Sequence, residues 1–384
     1  MFNKIRLFLK KKKIFKIINI CEYLVLEHGH DHMFIKYFKK KNFQFIYFNF
    51  SINLYLIILL IFNLKKITQL NYYILAIKLS KPKIVFTATD NTISFYHLKK
   101  IFPNIKFIAI QNGYRSEELF ETKKINNNLA CDLIFCLGKQ NIDYYKSKID
   151  TNVVPIGSMK NNSIKAPKNV KLLNCLTYIS EYRLNKNTKF NYKNYISQYG
   201  LNYSQYKNFI ESEIKIIKLL YLISKEKKLQ FYIVGGSSNN QKEEYEWYKN
   251  LLKHENINFR FKTNYKSSYN FLLKSKIIAN IDSTLGYEFL ARKQKVIFIS
   301  RNLKDKTKDY YWRFGWPHVK QKKGFFFTNE INKKEISRIL NNVMNMSQQK
   351  WISKSSVYRK SLISFDPENK IFNNYLINYD KNCR

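Results

Sequence analysis

Between Ile277 and Ser300 the chain reads IIANIDSTLGYEFLARKQKVIFIS. An apolar run ends at Asp282. Ser283 and Thr284 follow, then Gly286, and Glu288 comes one turn later. The pattern predicts strand, turn, helix and strand. A hydroxyl residue at a helix start leaves backbone N–H groups at the positive end of the helix dipole, a site that suits a phosphate or diphosphate. Gly286 would let such a group approach closely, and Glu288 can accept hydrogen bonds from ribose hydroxyls. The plainer use of the same residues is an N-cap at Ser283 or Thr284, with Glu288 as an acid favoured near the helix start.

Two other turns in the second half could serve the same ligand. Gly235 and Gly236 close the apolar run YIV, ahead of Glu243 and Glu244. They do not form a GxGxxG fingerprint, and a tight turn accounts for them equally well. Arg183 follows Ser180-Glu181-Tyr182. A guanidinium there could clamp a diphosphate bidentately, or it could be a surface arginine.

In the first half, Asp90 and Asn91 close one apolar run, and Gln111, Asn112, Gly113, Tyr114 and Arg115 close the next. Asp90 could act as general base toward an acceptor hydroxyl, with Asn91, Gln111, Asn112 and Arg115 shaping the acceptor side. The alternative is that Asp90 forms an Asx turn or caps a helix, and that a residue of the Glu27–His32 loop is the base. His97 fits a helix surface. His28, His30, Asp31 and His32 look like metal ligands, but His30 and His32 are too close for a helical pair. No metal and no cofactor is expected; the nucleotide-activated donor is a substrate.

Positioning these residues takes alternating strands and helices. Apolar runs at 16–26, 45–50, 83–88, 106–110, 133–137 and 152–156 alternate with amphipathic stretches. After Gly157 the segment SMKNNSIKAPK (158–168) lacks periodicity and reads as a linker. The pattern restarts at 172–179, 229–234, 257–261, 277–281 and 296–299. This predicts an α/β protein of two facing Rossmann-like domains with parallel sheets. Residues 1–157 would be the acceptor domain and 169–340 the nucleotide-donor domain. Residues 341–384 would be a helical segment packing back across the hinge.

The 384 residues carry a formal charge of +41, with 16% aromatic residues. The basic residues are mostly Lys, spread along the whole chain beside abundant Asn, Ile, Tyr and Phe, as A/T-rich codons would produce. A nucleic-acid partner is therefore not expected; anionic lipid and anionic donors remain natural partners. The five cysteines are scattered and odd in number, as in a reducing compartment. No signal peptide is evident. The uncharged stretch Phe43–Leu64 is about membrane length, yet its Gln, Asn and Ser residues favour a buried strand plus helix. The expected location is cytoplasmic, with peripheral contact at the inner membrane face through Met1–Lys13.

Four segments carry a resemblance: Asp90–Arg115, YISEYR (178–183), DSTLGYEFLARKQKV (282–296), and RFGWP with GFFFTN (313–317 and 324–329). In order and spacing they resemble the bacterial surface-carbohydrate-biosynthesis transferases, a GT-B-like family. The Asp282 segment also looks like that of the CDP-glycerol-type polyol-phosphate transferases, which carry His-Gly where this chain has Asn112-Gly113. The resemblance implies a glycosyltransferase-like enzyme that moves a sugar from a nucleotide-linked donor to a carbohydrate or lipid-linked acceptor. A CDP-polyol-type phosphotransferase and an inactive GT-B scaffold in polysaccharide assembly are the alternatives.

Overall fold

The computed structural model describes residues 11–27, 31–49, 51–114, 128–167, 169–182, 202–236, 240–253, 257–301 and 313–382. The chain divides into two compact units. One comprises Met1–Ser163 with Glu368–Arg384, the other Ile164–Pro367.

In the first unit the elements run β1 (Lys12–Ile14), β2 (Tyr23–Leu26), α1 (Asp31–Phe38), β3 (Phe43–Ile46), β4 (Ser51–Asn53), α2 (Leu54–Phe62), α3 (Gln69–Ser80) and β5 (Ile84–Thr87). They continue with α4 (Ile93–Ile101), β6 (Lys106–Ile110), β7 (Ala130–Cys136), α5 (Asn141–Lys146), β8 (Asp150–Pro155) and α6 (Met159–Ser163). Six strands form one sheet in the order β3-β2-β5-β6-β7-β8, every pair parallel. Strands of such a sheet are covered on both faces and so read as unbroken apolar runs. Leu24, Val85, Phe107 and Ile134 face one core, while Val25, Phe86, Ile108 and Phe135 face the other.

The helix Lys370–Asn382 completes the second core. Its Phe372 ring lies 5.4 Å from Phe135 and 5.3 Å from Tyr37, centroid to centroid. Just before it, Asn369 takes a left-handed backbone (φ 56°). Its side chain donates to Tyr37 Oη (2.9 Å) and to the Met159 carbonyl (3.0 Å), and accepts from Asn162 Nδ2 (2.9 Å). Residues 158–163 are therefore not an open linker: they contain α6, and Met159, Asn161 and Asn162 are buried. Of 341–384, only the part from Glu368 counts with the first unit.

Phe43–Leu64 splits into β3, β4 and the nine-residue α2. The helix starts where the Asn53 side chain accepts from Tyr55 N–H. No described helix is long and apolar enough to cross a membrane. The pairing of β1 with β4 was not foreseen. The expected strand over 16–26 shrinks to Tyr23–Leu26, because 15–22 lies outside the ladder and ties to its neighbours through side chains such as Gln44 and Asn53.

The second unit contains β9 (Leu173–Ile179), α7 (Tyr203–Glu226), β10 (Gln230–Val234), α8 (Gln241–Leu252), β11 (Asn258–Arg260), α9 (Ser267–Leu272) and β12 (Ser275–Asn280). α10 (Thr284–Ala291), β13 (Val296–Ile299), β14 (Phe327–Thr328), α11 (Lys333–Met344) and α12 (Gln348–Leu362) follow. The sheet order is β11-β10-β9-β12-β13-β14, again all parallel. Numbered within the unit this is 3-2-1-4-5-6, the dinucleotide-fold order. The RFGWP and GFFFTN segments pack against α10 and β13. Phe314 stacks on Tyr287 at 5.6 Å and tilts against Phe298 at 4.5 Å.

Candidate functional site

An order of 3-2-1-4-5-6 reverses direction between its first and fourth strands, and ligands of open α/β sheets bind beyond the carboxyl ends at that reversal. Here it lies between β9 and β12. Glu181 stands just beyond β9, and Asp282 just beyond β12.

Glu181 accepts from the Asp282 backbone N–H (2.8 Å) with one oxygen and from Arg301 Nη2 (2.7 Å) with the other. Arg301 follows β13 and is almost wholly buried. Its Nη1 donates to Asp282 Oδ2 (2.9 Å), and its Nη2 also reaches Glu213 of α7 (3.1 Å). The guanidinium lies 4.1 Å from the centre of the Phe209 ring. Three carboxylates thus gather around one guanidinium. The N-terminus of α10, just beyond Asp282, is of the kind that can meet an anionic group.

That N-terminus is capped by Ser283, whose hydroxyl accepts from Leu285 N–H at 3.4 Å. Thr284 opens the helix, half-buried. Glu288 is buried and accepts from Tyr269 Oη at 2.6 Å. This bond orients the carboxylate. Gly286 serves packing instead of ligand approach: a Cβ there would fall 2.2 Å from Asn280 Cγ, so only glycine lets α10 lie this close to β12.

The paired glycines do not form a phosphate cradle. Gly235 N–H donates to the Arg260 carbonyl (3.1 Å) and Gly236 N–H to Glu244 Oε1 (2.9 Å), so both amides are used within the unit. A Cβ at Gly236 would lie 2.6 Å from the Ser180 carbonyl, which explains the residue by close approach of β9 and β10. Arg183 lies outside the described residues.

In the first unit the reversal falls between β2 and β5. Asp90 stands beyond β5, completely buried. Its carboxylate accepts from Tyr145 Oη (2.8 Å) and from Asn112 N–H (3.2 Å), and its carbonyl accepts from Tyr96 Oη (2.6 Å). It does not cap the next helix, whose N-cap is Thr92. Gln111 is no acceptor-side group. Its amide donates to the Gly113 carbonyl (2.9 Å) and accepts from Leu137 N–H (2.8 Å), stapling the end of β6 to that of β7. Asn91 and Asn112 are half-buried near Asp90, and His97 is half-buried in α4; Arg115 lies outside the described residues.

Glu27 follows β2 with a left-handed backbone (φ 68°) and is almost fully buried. Its carboxylate accepts from Phe48 N–H, Asn49 N–H (both 3.2 Å), Gln69 Nε2 (3.1 Å) and Tyr73 Oη. It holds the turn between β3 and β4, and this burial with Glu27 alongside pushes the Tyr73 hydroxyl well above its ordinary pKa. Asp31 and His32 begin α1, and Asp31 accepts from Tyr47 Oη at 2.8 Å; His28 and His30 lie outside the described residues. Among the described residues no three His, Cys, Asp or Glu side chains come together as metal ligands.

Glu181, Glu213, Arg301 and Tyr269 were missed as site residues. The signal for Arg301 was present: a cation directly after the buried run VIFIS demands acidic partners.

Among known proteins of solved structure, the chain is similar to MnaA of S. aureus, solved with UDP. The two are 13% identical, with TM-score 0.52 and coverage of 94% of this chain and 97% of that one. It is also similar to a variant of the wall teichoic acid polymerase TagF, at 12% identity, TM-score 0.53 and coverage of 95% and 90%. These likenesses agree with the two parallel-sheet units and establish a GT-B-like α/β fold. No curated protein matches the chain. Residues 108–380 match the profile of a family described as "putative O-antigen biosynthesis protein". That match takes in the whole second unit and, of the first, residues 108–163 and 368–380, and the chain belongs to this O-antigen biosynthesis family.

Proposed function

We propose that the chain is a transferase of surface-polysaccharide assembly that holds a nucleotide-activated sugar at the β9/β12 reversal and passes the sugar to a carbohydrate or lipid-linked acceptor. The observation that carries this reading is the placement of Asp282, Ser283 and Thr284. The ion cluster ties Asp282 to the reversal of a dinucleotide-order sheet, and Ser283 and Thr284 begin the helix that follows it. Membership of an O-antigen biosynthesis family supports it. MnaA, similar in fold, was solved with UDP. In this reading α10 receives the diphosphate and Glu288, oriented by Tyr269, takes a ribose hydroxyl. Asp90 positions Asn112 on the acceptor side instead of removing a proton, since its carboxylate is buried against Tyr145 and the Asn112 amide.

A polyol-phosphate donor is the second reading, favoured by the fold similarity to TagF. Titration calorimetry with a panel of UDP-, GDP-, CDP- and dTDP-linked compounds separates the two. One nucleotide should bind, and Glu288→Ala should weaken it by about 1–3 kcal/mol. A best nucleotide bound equally well by the variant would remove Glu288 from the site. No binding across the panel would remove the donor reading.

A further inference from the structure

In the first unit, β1 pairs in parallel with β4 and so lays Lys12 and Lys13 beside Ser51 and Ile52. Phe15, just past β1, is 65% exposed, and its ring meets that of Tyr55 in the first turn of α2 at 6.0 Å. On a helix, residues three, four and seven positions apart share a face. Tyr55 therefore shares one with Ile58, Leu59 and Phe62. The opposite face, Leu56, Ile57 and Leu60, is buried in the core. The outward face carries no charge. Phe62 is 80% exposed, and Leu64, just past the helix, is 95% exposed. Lone exposed apolar residues are ordinary, but a run of this kind around one short helix marks an interaction surface.

Among the described residues that flank it in sequence, the charges are all positive. Lys12, Lys13 and Lys16 flank it on one side, and Lys65 and Lys66 on the other, all exposed. No Asp or Glu stands between Asp31 and Asp90. Aromatic and aliphatic side chains ringed by lysines match a bilayer surface, where the rings enter the headgroup boundary and the ammonium groups meet anionic headgroups. At nine residues α2 can lie in that boundary but cannot span it.

We propose that Phe15 and the outward face of α2, with Phe62 and Leu64 at its tip, dock the protein on an anionic phospholipid surface. This names the membrane-contacting surface of the transferase reading, but it stands on its own observations. Donor binding belongs to the second unit and is measured separately.

The test is flotation of the full chain with vesicles of phosphatidylcholine alone or mixed with phosphatidylglycerol. The chain should float with the mixed vesicles and much less with phosphatidylcholine alone. Ile58→Ser combined with Phe62→Ser should lower the partition coefficient by at least about tenfold. Lys65→Glu with Lys66→Glu should lower it at low salt and flatten its salt dependence. Circular dichroism and nucleotide titration should be unchanged in both variants. Phe62→Trp, a conservative change at an exposed site, should show quenching by brominated lipid beyond that of the parent chain. Equal partition of the serine variant and the parent, or no added quenching at Trp, would overturn the proposal. So would a parent chain that sediments as an oligomer which the serine substitutions convert to monomer, since the face would then meet a second copy.

Discussion

Arg301 Nη2 lies 2.7 Å from Glu181 Oε2 across 120 positions of sequence, and this one contact ties the carboxyl end of β13 to that of β9. With Asp282 attached to both residues, three strand ends are held in a single ion cluster. Removing the cation leaves three carboxylates gathered in a mostly buried place. Arg301→Met should cost about 3–5 kcal/mol of stability, read from urea unfolding. Arg301→Lys should cost less but still be destabilising, because one ammonium cannot reproduce the planar fork that serves Asp282 and Glu181 together. A Met variant as stable as the parent would show that the cluster does not hold the strand ends.

Gly286→Ala should destabilise the second unit by about 1–3 kcal/mol, the usual penalty for overpacking. The added methyl would meet the Asn280 side chain at 2.2 Å. Shortening that side chain, as in Asn280→Ser with Gly286→Ala, should recover part of the loss. Additive effects in a double-mutant cycle would place the strain elsewhere.

Asp90→Asn tests positioning against general-base chemistry. Asn can keep the bond from Asn112 N–H, and Tyr145 Oη can turn to accept from the new amide. Stability should fall by only about 1 kcal/mol, with nucleotide affinity unchanged and most turnover retained once the donor is known. A folded variant that binds donor normally but has lost turnover would restore Asp90 as the base.

The described cysteines are all buried. Burial pushes the Cys21 thiol up to about 11 and those of Cys131 and Cys136 to about 12. The thiolate is the reactive form, and a raised pKa keeps these groups protonated near neutral pH. Alkylation of Cys21, Cys131 and Cys136 should be slow in the folded protein, accelerate as pH rises toward those values, and become fast in denaturant. Peptide mass mapping reads this site by site. Rapid native labelling of Cys131 would contradict its burial.

The strands were legible because both faces of each sheet are covered: KIVFTA and VIFIS announce themselves by composition alone. The α10 turn was legible in its parts, since Ser283 does cap and Glu288 is buried one turn in. What the sequence hid was long-range pairing. Glu181, Glu213 and Arg301 are far apart in the chain, and nothing local says that they meet. The glycines misled for a related reason. A glycine looks the same whether a ligand or a neighbouring strand needs the space, and at Gly236 and Gly286 the neighbour is protein. Gln111 likewise read as a functional amide, but its partners are main-chain groups at the ends of adjacent strands.

The helix Lys370–Asn382 belongs with the first unit, yet it is translated after the whole of the second. While the ribosome is still making residues 164–367, the sheet face formed by Phe86 and Phe135 has no Phe372 to cover it. The nascent first unit therefore lacks part of its aromatic cover throughout the synthesis of the second. It becomes complete only when the helix Lys370–Asn382 emerges. A chaperone that recognises exposed aromatic surface has its longest opportunity in that interval, and a premature stop codon anywhere in the second unit would leave the first unit unfinished as well.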